Sequence, residues 1–164
     1  MPTLSQLLDD YLSGPPALRK AVAGMSREQL TARPVPGKWS TLEVVAHIAD
    51  FDPILADRVK RIVALENPPL TGADENRFAA ALAYQDRDLE EELTIIECTR
   101  TQLARILRKQ TDDILQRVGV HSERGPLTLE RMLTMAARHI PHHVQFIDEK
   151  RKALGLPAAG SAAQ

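Results

Sequence analysis

Three of the five histidines in this sequence lie within apolar helical patterns, where an imidazole without a partner is costly to bury. His139 and His143 are four residues apart, so a helix places them on one face at adjacent turns. His47 lies in a second apolar stripe and would approach them from a facing helix. Three neutral imidazoles can bind a divalent metal and leave one position open for water or substrate. The spacing therefore predicts a metal site at His47, His139 and His143.

Each of these residues also has a simpler interpretation, since a single histidine on an apolar face is often a core residue with a satisfied hydrogen bond. The sequence predicts that His121 is a solvated loop residue and that His142 lies at the rim or exterior. Asp50, about one turn after His47, is a candidate for orienting a ligand imidazole or a bound water. Trp39 is interpreted as a hydrophobic staple before a helix rather than as a pocket residue.

Four long amphipathic segments would have to position these side chains. The first starts at Leu4 and is expected to be interrupted or kinked at Pro15 and Pro16. The other three run from the capping box of Ser40 and Glu43 to about Glu66 with a kink at Pro53, from Leu89 to Leu107, and from Thr128 to about Leu154. Because no convincing period-two strand accompanies them, the pattern predicts an all-α four-helix bundle.

Length and composition limit the possible domain organisation, partners and location of the protein. The 164 residues fit one domain, predicted over residues 1–155, followed by a flexible tail over 156–164. A net charge of -1 argues against nucleic acid as a partner. The absence of a long apolar run or a signal-like start predicts a cytoplasmic protein without a membrane span. Cys98 is expected to be a buried thiol.

The stretches GKWSTLEVVAHIADFD, RDLEEEL and ERGPLTLERMLTMAARHIPHHVQFIDEKRKALG together resemble the DinB/YfiT-like superfamily over nearly the whole chain. The resemblance implies a four-helix bundle in up-down-down-up order. It also implies that one histidine of the second helix and two of the last bind the metal, which assigns His47, His139 and His143. This agrees with the spacing argument. Pro141, between the two histidines of the last helix, is a departure from the family's pattern and removes one helical N–H.

The resemblance implies activity less specifically. Characterised members are similar to thiol transferases or isomerases that use low-molecular-weight thiols, so the first hypothesis is metal-dependent transfer of such a thiol to an electrophilic small molecule. The alternatives are a hydrolase that activates water at the metal and a bundle that binds metal or a small ligand without turnover. Zinc or nickel is the expected metal, with iron and manganese as further options. The resemblance also implies a homodimer.

Overall fold

The computed structural model describes residues 2–159, so the end of the predicted tail, residues 160–164, lies outside the described residues. The elements in chain order are α1 (Leu4–Val22), α2 (Arg27–Thr31), α3 (Thr41–Ala64), β1 (Pro69–Leu70), α4 (Glu75–Ala81), α5 (Leu89–Leu107), β2 (Val118–His121), β3 (Gly125–Thr128) and α6 (Leu129–Ala153). Short 3-10 turns at Tyr84–Asp86 and Asp112–Gln116 complete the connections.

The four long helices form the bundle that the sequence predicted. α1 packs against α6 and α5, and α3 packs against the same two helices, so α1 and α3 lie on a diagonal. Side-chain caps define where the helices begin: Ser40 and Glu43 form the predicted capping box at the start of α3. Thr128 caps α6, as its position in the sequence indicated. The predicted all-α class and its four long helices are confirmed.

A polar layer crosses the middle of this bundle between two aliphatic clusters. One cluster contains Leu8, Val59, Leu103 and Leu133, and the other contains Leu18, Val45, Ile96 and Ile147. Between them, α3 contributes Asp52 and α5 contributes Arg100, and both side chains are fully buried. Arg100 donates hydrogen bonds to both carboxylate oxygens of Asp52, at 2.6 and 2.9 Å. The layer thus carries an ion pair in which each charge has its partner.

α1 continues through Pro15 and Pro16, so of the two expectations for this point, an interruption or a kink, the interruption is wrong. A proline removes the hydrogen bond to the carbonyl four residues earlier, which for Pro15 is that of Tyr11. The carbonyl of Tyr11 instead accepts a 2.7 Å hydrogen bond from Arg100 Nη1. Gly14 makes this approach possible, because a Cβ there would lie 2.7 Å from the same Nη1 atom. α3 and α6 likewise run through Pro53 and Pro141.

A small three-stranded sheet was not predicted from the sequence. β1 pairs in parallel with β2, and β2 pairs antiparallel with β3. In β2 the buried residues are Gly119 and His121, whereas Val120 is 44% exposed, so the pattern of burial is opposite to the pattern of hydrophobicity. The expectation of a solvated loop at His121 is therefore wrong, because this histidine ends a strand and is only 6% exposed.

Two further expectations concern the surface and the end of the chain. Cys98 is exposed rather than buried, because it lies on the face of α5 opposite Ile96 and Leu103. Near the chain end, Arg151 Nε donates a 3.1 Å hydrogen bond to the carbonyl of Pro157. The start of the tail that the sequence predicts to be flexible therefore contacts α6. Among residues 2–159, none of the helices combines the length and apolar character that spanning a membrane would require.

Candidate metal centre

α3 and α6 pack against each other, and their contact brings His47 together with His139 and His143. One ring nitrogen of each histidine lies within 4.8 Å of a ring nitrogen of the other two. The Nε2 atoms of His47 and His139 are 3.1 Å apart, and His143 has its ring centroid 4.7 Å from each of the other two rings. The three residues singled out by spacing therefore converge on one point, even though Pro141 lies between two of them.

Burial keeps two of these imidazoles neutral. It lowers the pKa of His47 to about 4, and the nearby His139 contributes to that shift. Burial also lowers the pKa of His143 to about 3, again with help from His139 and then from His47. At neutral pH both rings are uncharged and retain a lone pair, which is the form of histidine that binds metal.

The donor set fits a divalent metal of the zinc or nickel type. The Nδ1 atoms of His47, His139 and His143 are buried and have no hydrogen-bond partner among the described residues. A neutral imidazole carries one ring proton, so a proton on Nδ1 leaves Nε2, the atom through which His47 and His139 face each other, free to bind metal. Tetrahedral zinc with bonds of about 2.0–2.1 Å separates its nitrogens by about 3.4 Å, close to the 3.1 Å between His47 and His139.

Asp52 lies behind His139 in the polar layer of the bundle. Its Oδ1 atom is 3.9 Å from His139 Nδ1, which is an electrostatic contact but too long for a hydrogen bond. Burial would raise the pKa of Asp52, but His139 and the Arg100 guanidinium outweigh it and hold this pKa below its usual value. An ionised carboxylate next to Nδ1 favours a proton on that nitrogen and leaves Nε2 free to bind metal.

Asp50, the carboxylate that the sequence offered, makes different contacts. Both of its oxygens accept hydrogen bonds from Arg87, at 2.8 and 3.0 Å, and Arg87 also pairs with the buried Glu92. Its role in orienting a ligand stays a prediction. Sequence reasoning missed Glu75, the first residue of α4, whose Oε2 lies 3.9 Å from His47 Nε2. Its side chain is 56% exposed, so Glu75 is at the open side of the centre.

The histidines line a cavity of about 700 Å³. Two aromatic side chains of the cavity lie next to His47. The ring centroids of Trp39 and Phe51 are 5.3 and 4.5 Å from the centroid of the His47 ring. Trp39 therefore faces the cavity, where the sequence interpretation had made it a staple. His142 lies at the rim, as predicted, and also contributes to the lining. A cavity of this size can enclose a small organic molecule next to the three imidazoles.

Fold and centre together define a four-helix bundle with a candidate three-histidine metal site, and comparisons with known proteins agree. Residues 13–147 match the DinB superfamily, so the chain belongs to this superfamily. It is 28% identical over 151 residues to a "putative metal-dependent hydrolase" of Oceanobacillus iheyensis, covering 91% of this chain and 87% of that one. It is 27% identical over 142 residues to the "putative metal-dependent hydrolase YfiT" of Bacillus subtilis, covering 86% and 80%.

Solved structures support the same fold. The structure of YfiT from Bacillus subtilis, described as having an unusual four-helix bundle topology, matches with a TM-score of 0.87 at 24% identity, covering 94% of this chain and 89% of that one. This match confirms the up-down-down-up bundle. A histidine-to-alanine mutant of the mycothiol-dependent maleylpyruvate isomerase matches with a TM-score of 0.70 at 14% identity, covering all of this chain and 63% of that one. At that identity the likeness concerns the fold.

Proposed function

We propose that this chain is a metal-dependent enzyme that activates the thiol of a small molecule for transfer to an electrophilic carbon. The observation that carries the proposal is the convergence of His47, His139 and His143 on a cavity open to small molecules. These residues would hold one divalent metal, zinc or nickel before iron or manganese. The metal would supply a Lewis-acidic open position that lowers the pKa of a thiol or a water molecule there.

The chain's own residues prepare the site for this chemistry. The low pKa values of His47 and His143 keep their lone pairs available, and Asp52 favours the metal-binding tautomer of His139. The new bond forms between the substrate sulfur and the electrophilic carbon. The S–H bond and the bond from that carbon to its leaving group break, and the proton and the leaving group depart through the open side of the cavity. No protein thiolate is required, which agrees with the position of Cys98 on the exposed face of α5.

Hydrolysis is the second candidate, and Glu75 is the observation that favours it. Hydrolysis needs a group that accepts a proton from water, and the carboxylate of Glu75 lies 3.9 Å from His47 Nε2. Both relatives from Oceanobacillus iheyensis and Bacillus subtilis are named as hydrolases, which points the same way. We place thiol transfer first because Glu75 is 56% exposed and no side chain holds its carboxylate in position among the described residues. The third candidate is a bundle that binds metal or a small ligand without turnover.

Assays of the metal-loaded protein separate these candidates. A panel of low-molecular-weight thiols would be tested with a chromogenic aryl halide, and a panel of activated esters would be tested without thiol. We expect conjugation that depends on thiol, disappears in His143→Ala, and changes by no more than about threefold in Glu75→Gln. Asn76→Ala, at the neighbouring cavity-lining position, is the matched control.

Two results would contradict thiol transfer. Ester hydrolysis without thiol, with a loss of about 100-fold or more in Glu75→Gln, would establish the second candidate instead. Metal binding with no turnover in either panel would favour the third.

A further inference from the structure

One wall of the cavity carries two arginines, Arg58 from α3 and Arg124 from the turn between β2 and β3. Arg58 is only 9% exposed, and its guanidinium donates one hydrogen bond to the Thr71 carbonyl. Its Nε atom is buried and has no partner among the described residues. A buried guanidinium with an unsatisfied donor is costly, and an anion in the cavity that this side chain lines would compensate its charge.

Arg124 adds a second positive charge at the same wall. Its Nη1 atom lies 3.9 Å from the sulfur of Met135. Within residues 2–159, neither Arg58 nor Arg124 has a carboxylate within 4.0 Å, although both are near Glu123 in the turn. Burial lowers the pKa of Arg58, Arg124 lowers it further, and Glu123 and Asp57 offset only part of the effect. Two guanidinium groups therefore lie at this wall, and the nearby carboxylate of Glu123, which also lines the cavity, pairs directly with neither of them.

His121 supplies a neutral donor to the same wall. Its Nδ1 atom accepts a 3.2 Å hydrogen bond from the backbone N–H of Glu123, so the neutral ring carries its proton on Nε2. Burial and then Arg58 lower the pKa of His121, which keeps the ring neutral. This side chain is buried and lines the cavity. Two guanidinium groups and one imidazole N–H form a donor set suited to a compact oxyanion.

We propose that Arg58, Arg124 and His121 form a subsite for an oxyanion, a carboxylate or a phosphate, carried by the substrate. The group binds at this wall while another part of the same molecule reaches the three histidines, because both sets of residues line one cavity. The inference deepens the proposed function and rests on it, since it specifies an anionic substrate. Its residues come from α3 and the strand hairpin, and none of them belongs to the histidine centre.

Binding of acetate and of inorganic phosphate, measured by NMR on isotope-labelled protein, tests the subsite. The side-chain Nε–H signal of Arg58 is assigned by its disappearance in Arg58→Met. We expect this signal to shift with saturation at a Kd of about 1 mM or tighter for at least one of the two anions. The stronger anion identifies the group as a carboxylate or a phosphate. Arg124→Met should weaken this binding at least fivefold, whereas Lys38→Met, at another part of the cavity, should leave it unchanged.

The metal-deficient variant His143→Ala separates this inference from the proposed function. The subsite predicts that anion binding persists in this variant, even if no enzymatic activity is ever found. Three results would overturn it: no saturable shift with either anion, equal binding in Arg124→Met and wild type, or loss of binding in His143→Ala but not in Arg124→Met. The last result would mean that the anion binds at the metal. Since Arg124 is exposed, its replacement tests the subsite without disturbing the core.

Discussion

At the level of single residues, the buried ion pair of Asp52 and Arg100 links the bundle core to the candidate centre, because the Asp52 carboxylate also lies 3.9 Å from His139 Nδ1. Asp52 continues the stripe of Ile48, Leu55 and Val59, which are all buried. Arg100 lies in the same way on the stripe of Leu93, Ile96, Leu103 and Leu107. Opposite charges at buried positions of two helices predict an ion pair between them. Given the helix order that the family resemblance implies, the position of Asp52 next to His139 could then have been inferred, because both residues lie near the middle of their helices.

The role of Glu75 had no comparable signal. Its position depends on how the short helix α4 is held over the bundle, and periodicity within seven residues does not determine that. Similarly, His121 follows a valine whose side chain faces solvent, so the sequence pattern indicated the wrong face. Contacts made by short connecting elements follow from tertiary packing, and the sequence alone predicts them poorly.

The low pKa values of His47 and His143 predict that acid destabilises the metal-free protein. Unfolded histidines bind protons below a pH of about 6.5, whereas in the folded state these two stay neutral down to about 4 and about 3. Protons therefore favour the unfolded state in this range, and the free energy of unfolding falls as the pH drops from about 6.5 to about 4. We expect a contribution on the order of 1–2 kcal/mol per histidine at pH 5.

Urea unfolding in the presence of a chelator at pH 7 and pH 5 measures this effect. His47→Gln and His143→Gln should each show a smaller loss of stability between the two pH values than wild type. His142→Gln is the matched control, since this histidine lies at the rim of the cavity, and it should keep the wild-type loss. Equal losses in all four proteins would mean that the buried imidazoles do not control the pH dependence.

At the level of elements, the long helices were predictable and the strands were not. Apolar spacing and caps such as Ser40 define a 24-residue helix with several independent signals. β1 has two residues and β2 and β3 have four each, which is too short for a period-two pattern to be recognised. The predicted interruption of α1 at its prolines was wrong for another reason. The carbonyl of Tyr11 accepts its hydrogen bond from Arg100 of α5, and a contact between two helices cannot be seen in the pattern of one of them.

We predict that the contact between α1 and the polar layer requires a glycine at position 14. An alanine Cβ would lie 2.7 Å from Arg100 Nη1 and 3.1 Å from Ile140 Cδ1, and the ion pair with Asp52 prevents Arg100 from moving away. We expect Gly14→Ala to lower the free energy of unfolding by about 1–3 kcal/mol, measured by urea unfolding. Ser13→Ala, at the exposed neighbouring position, should change it by less than about 0.5 kcal/mol. A higher free energy of unfolding in Gly14→Ala would contradict the prediction. It would mean that the better helix propensity of alanine outweighs the close contact of its Cβ with Arg100 and Ile140.

At the level of the whole molecule, periodicity predicted the bundle but not which helices are neighbours. The candidate centre requires α3 to contact α6, and amphipathic helices of similar length can pack in several orders. The resemblance to the DinB/YfiT-like superfamily supplied the order, and the match to the YfiT structure confirmed it. The location of the cavity follows from that order, because His47 and the two histidines of α6 can meet only if their helices are adjacent.

Elemental analysis of protein purified without an affinity tag tests the metal centre most directly. We expect about one zinc or nickel per chain in wild type and in His142→Ala, the matched control at the rim of the cavity. His47→Ala, His139→Ala and His143→Ala should each lose the metal while keeping the helical circular dichroism spectrum. Full metal content in any of these three variants, or no uptake by wild type after reconstitution with zinc and nickel, would contradict the proposed centre.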